Sequence, residues 1–420
     1  MTSVADQSWF QDAGLAEVFA LLNADGGEVR VVGGAVRNSL MGEPVGDIDL
    51  ATTLVPSEVT ARAQAAGIKA VPTGIGHGTV TLVVKGQPFE VTTLRRDVTT
   101  DGRHAEVAFG TDWQEDAERR DFTINALYAD ASGEVIDLVG GLKDIENGTL
   151  RFIGDARQRI AEDYLRVLRF FRFFAWYGRG RPDAEGLRAS AAARDELHRL
   201  SVERVWSETK KVLLAPDPGR ALLWMRQAGV LTAILPETEK WGIDAIPGLI
   251  ATEMALGWKP DPMLRLAAIV PTDAERLKAM AERLKLSRAE ADFLQLFASA
   301  PAVKDDMSEL ALDRLIYRHG KAGILARLKL ALANARVKAE QDTSAMATAA
   351  RWLKLVERAK AFDKPTFPLS GADVIASGIS PGPDVGRLLG ELEDAWVQAN
   401  FSFSREKLLT RLQDAVNRPA

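Results

Sequence analysis

At 420 residues the chain has room for two to four compact units at roughly 150 residues each. The absence of cysteine excludes disulfides, thiolate catalysis and cysteine-ligated zinc, and fits a reducing cytoplasm. A hydrophobic share of 46% is that of an ordinary globular protein, and a formal net charge of −5 argues against a non-specific nucleic-acid coat, which needs positive potential over most of its surface. The first residues, MTSVADQSWFQDAG, lack a basic and then apolar leader, and no apolar run approaches the roughly 20 residues that cross a bilayer, so no membrane association is expected.

Up to about residue 150 the pattern is mixed α and β. The β-branched runs Val29–Val32, Thr79–Val84, Phe89–Thr93 and Val135–Leu138 read as strands. From Ala156 onward the pattern is helix after helix. Leu165, Leu168, Phe171 and Phe174, and later Leu325, Leu328 and Leu332, recur at helical spacing and read as core stripes. Pro- and Gly-bearing breaks fall at 215–219, 258–263, 301 and 363–371. An α+β head (1–150) followed by an all-α neck (151–215), body (216–362) and tail (363–420) is expected.

Four motifs carry chemistry. Gly33-Gly34-Ala35-Val36-Arg37-Asn38 follows the first strand and precedes a helical Ser39–Met41. A glycine pair at such a turn lets backbone N–H groups approach a phosphate, with Arg37 in reach of its oxygens. Asp47 and Asp49 follow; on an extended strand residues i and i+2 share a face, so their carboxylates stand together and call for a divalent cation, Mg²⁺ by donor type. A triphosphate cradle ahead of a metal-binding pair is the minimum equipment for nucleotidyl transfer. The third motif, Arg119-Arg120-Asp121-Phe122-Thr123-Ile124-Asn125-Ala126, reads as a helix start with two cations that need an anion, and with Asp121 as a cap. In the fourth, Glu162-Asp163-Tyr164-Leu165-Arg166-Val167-Leu168-Arg169-Phe170-Phe171-Arg172, a helix sets Asp163 beside Arg166, Arg166 beside Arg169, and Arg169 beside Arg172. A carboxylate that accepts from an exocyclic amine, next to a guanidinium that donates to a ring acceptor, suits cytosine and adenine and mismatches uracil and guanine.

GGAVR, GDIDLAT, RRDFTINA, GEVIDLVGGLKDI and EDYLRVLRFFRF, in that order, resemble the class II tRNA nucleotidyltransferase and bacterial poly(A) polymerase family. VERVWSETKKVLL, LPE and PLSGADVIASGISPGPDVGRLLGELEDAW are similar to its later segments. The resemblance implies a polymerase-β-like nucleotidyltransferase head with helical domains behind it, and tRNA, CTP and ATP as partners. It places the incoming nucleotide on Gly33, Gly34, Arg37, Arg120, Asp163, Arg166, Arg169 and Arg172, and metal on Asp47 and Asp49. Glu90 is a candidate third catalytic carboxylate, with an ion pair to Arg95 as the other reading. The family usually carries Asp where this chain has Asn38, which bears on hydrogen bonding at the helix start.

Residues 72–81, PTGIGHGTVT, look like the CCA-adding subgroup, since an Arg-rich stretch is expected there in poly(A) polymerases. His77 within them reads as a turn residue. The polar segment 94–103, with Asp97, Asp101, Gly102 and Arg103, reads as a mobile loop and resembles the flexible loop that CCA-adding enzymes retain. Arg327, Lys329, Arg336, Lys338, Arg351, Lys354, Arg358 and Lys360 offer either solubility or a track for the tRNA backbone. The expected activity is CCA addition, with poly(A) synthesis and a catalytically silent RNA- or nucleotide-binding protein as alternatives. The sequence carries no signal of oligomeric state.

Overall fold

A computed structural model describes residues 2–74, 78–101, 104–238 and 242–417, and at 96–107 the backbone alone. His77, Gly102 and Arg103 lie outside the described residues. The chain forms two compact units, Met1–Glu239 and Lys240–Ala420. The division falls inside the stretch expected as the body, because helices after residue 215 still pack on the neck of the first unit.

In the first unit the strands are β1 (Val29–Val32), β2 (Asp49–Thr52), β3 (Lys69–Gly74), β4 (Thr79–Val84), β5 (Gln87–Thr93), β6 (Arg95–Asp101), β7 (His104–Phe109), β8 (Leu127–Ala129) and β9 (Val135–Asp137). Seven form one sheet in the order β3-β4-β5-β2-β1-β8-β9. Within it only β2 and β5 run parallel, and their register sets Asp49 against Glu90. All four strand runs read from the sequence are present. Residues 95–101, expected as a loop, instead pair with 104–109 in a separate two-stranded ribbon.

The helices of this unit are α1 (Ala13–Leu22), α2 (Gly34–Met41), α3 (Pro56–Ala65), α4 (Trp113–Glu118), α5 (Gly141–Asn147), α6 (Ala156–Glu162), α7 (Leu165–Tyr177), α8 (Ala184–Ala192), α9 (Val202–Leu213), α10 (Gly219–Gln227) and α11 (Val230–Ile234). Alternation along the strands gives the sheet two faces. Leu50, Leu82, Phe89 and Val91 pack with Leu15, Val18, Phe19 and Val59 of α1 and α3 in the main core. The opposite face carries only a small apolar cluster including Val32, Ala51, Leu94 and Tyr128. Asp49 shares that thinner face with Ala51, and Glu90 with Thr92, so both carboxylates lie on the side the core leaves open. Leu165, Leu168, Phe171 and Phe174 of α7 are all buried, as their spacing predicts. Phe170 stacks on Phe152 at 5.5 Å, and Phe173 meets Phe122 at 5.3 Å, which seats α7 beside the Arg119–Asn125 segment.

The second unit is helical: α12 (Ala245–Ala255), α13 (Pro262–Ile269), α14 (Ala274–Arg283), α15 (Arg288–Ser299), α16 (Glu309–His319), α17 (Lys321–Gln341), α18 (Met346–Ala361), α19 (Gly371–Ala376), α20 (Pro383–Gln398) and α21 (Arg405–Val416). Its core joins Leu312, Ile316, Leu328, Leu332, Val356, Leu388, Trp396 and Leu408. The Pro/Gly breaks read from the sequence all fall between helices. Among the described residues no helix is long and apolar enough to cross a membrane.

Candidate active site

A cavity of about 780 Å³ opens on the thin face of the sheet. Gly33 and Gly34, Arg37, Asp49, Glu90, Arg120, Asp163, Arg166 and Arg169 all border it, so nine residues singled out from the sequence converge on one space. Arg95, Arg119, Asp121, Asn125, Thr92 and Arg204 border it as well. Seven arginines and four carboxylates border it, and Asp116 and Glu162 behind the lining pair with Arg119, Arg120 and Arg166.

The glycine turn forms where β1 ends. Gly33 takes φ 73°, which favours glycine, and its N–H donates to the Leu127 carbonyl at 2.9 Å. α2 begins at Gly34, earlier than its sequence pattern suggested, with no side chain capping its first turn. Its free N–H groups therefore favour an anion.

Asp47 and Asp49 do not share one strand. β2 starts at Asp49 because its partner β1 turns away at Gly33, leaving the residues before Asp49 nothing to pair with on that side. Asp47 sits in the irregular segment before β2, exposed and not among the cavity-lining residues, yet close enough for its charge to act on Asp49. Asp49 is exposed to the cavity, yet its carboxyl is pushed above the ordinary aspartate range, first by partial desolvation there, then by Glu90, then by Asp47, with Arg120 opposing. Glu90 thus stands beside Asp49 on the neighbouring strand.

The two arginines of RRDF lie at a helix end, not a start. Arg119 caps the C-terminus of the short α4, where the macrodipole favours cations. The anion they meet is Asp116 of the same helix, fully buried. Its Oδ1 accepts from Arg119 Nε at 2.8 Å, and its Oδ2 from Arg120 Nη2 at 3.0 Å and the Tyr128 hydroxyl at 2.8 Å. Burial pushes the Asp116 carboxyl up, but Arg120 and Arg119 outweigh it and hold it low. Asp121 caps no helix. Its Oδ2 accepts from Arg169 Nε at 2.7 Å, while its Oδ1 accepts from Phe122 N–H and from Asn125 Nδ2.

Asp163 is also displaced from its expected helical position. α6 stops at Glu162, and Asp163 is extended (φ −152°, ψ 107°). Its Oδ1 accepts from the N–H of Leu165, the first residue of α7, at 3.0 Å, and its Oδ2 accepts from Arg204 Nη2 of α9 at 2.7 Å. Arg166 is held by Glu162 and by the Arg159 carbonyl. Asp163 and Arg166 face one cavity without bonding each other. Arg172 is not among the lining residues; its Nη1 donates to buried Glu208 at 2.9 Å, which ties α7 to α9. Asn38 accepts from Arg37 through Oδ1 and donates to the Pro44 carbonyl at 2.7 Å through Nδ2, a donation a carboxylate cannot make.

Of the residues not singled out from the sequence, Arg119 stood next to a chosen one, and Asp121 and Asn125 lay within the motif. Arg204 had only the VERVWSE segment to mark it. In the second unit the basic residues are largely engaged: Arg351 with Asp305, Lys354 with Glu309, Arg358 with Asp313 and Lys360 with Glu357. Arg327 donates to the carbonyls of Phe297 and Ala298, and Lys329 lies 4.9 Å from the Trp258 ring centre.

Comparison with known proteins returns one family. Residues 29–151 match the model of the poly A polymerase head domain, and residues 182–241 that of a probable RNA and SrmB-binding site of polymerase A. The chain is 36% identical to the mitochondrial CCA tRNA nucleotidyltransferase 1 of Danio rerio, over 97% of this chain and 92% of that protein. It is 31% identical to a CCA-adding enzyme of Streptococcus pneumoniae, over 93% and 94%. The crystal structure of the Bacillus stearothermophilus CCA-adding enzyme in complex with CTP superposes with a TM-score of 0.73 at 26% identity, covering 96% of this chain and 97% of that one.

Proposed function

Because the chain belongs to the family of CCA-adding tRNA nucleotidyltransferases, we propose that it adds C, C and A to the 3′ end of tRNA from CTP and ATP, releasing pyrophosphate, in the cavity between the Gly33–Gly34 turn and α7. The observation that carries this reading is the pairing of Asp49 with Glu90 across β2 and β5, facing that turn in a cavity lined with arginines.

The residues divide the work by position. The turn and the start of α2 receive the triphosphate, with Arg37 and Arg120 beside it. Asp163 and Arg166 meet the base edge, the carboxylate accepting from the exocyclic amine and the guanidinium donating to the ring acceptor. That requires Arg166 to exchange Glu162 for the base. Arg169, held by Asp121, stays between the two regions. The terminal 3′-hydroxyl of tRNA attacks the α-phosphorus in line, and the arginines neutralise the charge that builds on the departing pyrophosphate.

The family is generally metal-dependent, and the donors fit a hard divalent ion. Asp49 and Glu90 are adjacent, Asp47 acts on Asp49 through its charge, and their mutual repulsion is what a cation relieves. Among the described residues no group of three or more His, Cys, Asp and Glu is arranged to hold a metal ion by itself. We assign Mg²⁺ to Asp47 and Asp49, with Glu90 as the third carboxylate. When bound it supplies positive charge to the attacking and leaving oxygens.

In this reading residues 1–150 serve as the catalytic head, 151–215 as the neck that meets the base, 216–362 as the body and 363–420 as a tRNA-contacting tail. The ribbon that carries Asp97 and Asp101 serves as the flexible element in nucleotide selection. The lack of cysteine supports a reducing compartment, the cytoplasm in our assignment, although the Danio rerio relative is named mitochondrial.

The test is to incubate tRNA lacking its CCA end with CTP, ATP and Mg²⁺ and to size the product. Extension that stops after three nucleotides supports the proposal. A long A ladder replaces it with poly(A) synthesis, and absence of Mg²⁺-dependent pyrophosphate release replaces it with a silent binding protein.

A further inference from the structure

Arg37 borders the cavity although its side chain is buried. A buried guanidinium ordinarily has a carboxylate against it. Here Nε and Nη2 donate to Asn38 Oδ1 at 3.1 and 2.8 Å, Nη1 donates to Asn125 Oδ1, and Nη2 donates also to the Tyr177 hydroxyl at 2.9 Å. All three acceptors are neutral, and among the described residues Arg37 forms no ion pair. The nearest acidic influence is Asp121, whose carboxylate is already engaged by Arg169, and the Arg169 charge opposes that of Arg37. Four of the five N–H donors are fixed, while the full positive charge and one Nη1 hydrogen remain for a ligand.

Tyr177 is the last residue of α7, one helix away from the glycine turn. Besides the hydroxyl contact, its ring lies 4.2 Å from the Arg37 guanidinium carbon, with Phe173 5.3 Å away as a second aromatic neighbour. Asn38 and Asn125 belong to the α2 and Thr123–Asn125 segments that flank the turn, so they hold Arg37 from the sheet side. From the helix that also carries Arg166 and Arg169, Phe173 offers Arg37 a ring face and Tyr177 a ring face and a hydrogen bond.

We propose that Tyr177 is a positioning residue for nucleotide binding: its ring and hydroxyl fix Arg37 beside the Gly33–Gly34 turn as a cation without a counter-charge, ready for the triphosphate. The inference rests on the proposed placement of the nucleotide in this cavity. Tyr177 touches no part of the nucleotide itself, so its influence is the same for every base and acts on the phosphates.

The experiment uses the full-length chain as the parent, Tyr177→Phe, Tyr177→Leu, Arg37→Ala and the Arg37→Ala/Tyr177→Phe double variant. Equilibrium binding of CTP and of ATP is measured with Mg²⁺, together with inhibition by inorganic pyrophosphate and steady-state kinetics. Tyr177→Phe is expected to weaken CTP, ATP and pyrophosphate by one common factor of about 3- to 10-fold, the worth of one ordinary hydrogen bond. KM rises by that factor while kcat changes less than about twofold. Tyr177→Leu, which also removes the ring face, weakens them further. In the Arg37→Ala background the Tyr177→Phe change has no further effect. Unchanged affinities in Tyr177→Phe overturn the proposal, and so does a different factor for CTP and ATP or an equal loss with and without Arg37. Should Tyr177→Leu fail to fold, Tyr177→Phe, which removes a single oxygen, decides alone. If the parent itself binds neither CTP nor ATP, the proposed function fails, a result distinct from an unaffected variant of a binding-competent parent.

Discussion

Replacing Asp49 with Asn removes one negative charge from the cavity floor while keeping the side chain's shape, and two opposite effects are expected. Asp49 and Glu90 are in register on adjacent strands, which places their carboxylates roughly 5 Å apart. At an effective dielectric between about 40 and 80, suited to a group that water still reaches, each like-charge pair costs about 0.8–1.7 kcal/mol. Solvent screening favours the lower figure, about 1 kcal/mol, or roughly 2–4 °C in the melting of a unit this size. The sign follows from the raised folded-state pKa of Asp49. An acid that is harder to ionise when folded destabilises the fold at pH above its folded pKa, and the penalty fades as pH falls to the unfolded value. Asp49→Asn therefore melts higher than the parent at neutral pH without metal, and the difference shrinks to nothing below the ordinary carboxylate range. Mg²⁺ stabilises the parent and not the variant. Incorporation of labelled ATP into tRNA falls by about 10³-fold or more, because several kcal/mol of charge stabilisation depend on the ion. Calorimetry across pH, with and without Mg²⁺, reads the first effect, and the incorporation assay reads the second. A variant that melts below the parent at neutral pH without metal, or that incorporates ATP at the parental rate, refutes this reasoning.

Three further outcomes follow from other parts of the molecule. A Cβ on Gly34 meets nothing nearer than Arg37 Nη2 at 3.9 Å, and the backbone there needs no positive φ. Gly34→Ala should therefore keep the parental melting temperature while raising KM for CTP and ATP about 10-fold or more, since the methyl enters the space left for phosphate; an unchanged KM removes the glycine turn from the binding site. Arg204→Ala removes one of the two hydrogen bonds that hold the Asp163 carboxylate among the described residues, so misincorporation of UTP relative to CTP should rise about 10-fold, the worth of one charge-assisted hydrogen bond. Parental discrimination in a primer-extension assay would show that Asp163 needs no such support. In the second unit Glu253 and Arg265 form a buried ion pair at 2.6 Å, 3% and 1% exposed. Glu253→Ala removes a buried carboxylate that accepts charge-assisted hydrogen bonds from Arg265 and should cost about 1.5–3 kcal/mol in chemical denaturation, and an unchanged stability would mean that the pair contributes nothing to the fold.

The sequence made some of this site legible and hid the rest for identifiable reasons. β4 and β5 announce themselves because every second residue faces the core, and the apolar positions of α7 recur at the helical period along its whole length. These are local patterns, and local patterns survive in a sequence. The helix that holds Arg119 and Arg120 is six residues of WQEDAE, too short for any period to show, so the arginines looked like a beginning when they are an end. The break at Asp163 carries neither Pro nor Gly; the aspartate turns extended and its carboxylate accepts from the first N–H of the next helix, an option that a continuous helical pattern conceals. Asp47 and Asp49 looked like strand neighbours because a period of two is blind to where the partner strand stops, here at Gly33. The remaining gaps concern distance along the chain. Asp163 finds Arg204 41 residues away, and Arg37 finds Tyr177 140 residues away. Such pairs set which charges in the cavity are neutralised and which stay open, and that balance decides what the cavity binds. Motif spacing thus names the groups that surround a nucleotide, whereas the partners that hold them, Asp116 for Arg120, Glu162 for Arg166 and Tyr177 for Arg37, come only from the fold. Among the described residues the side chains that bond Arg37 are all neutral, and under the proposed reading its charge is left for the nucleotide to satisfy.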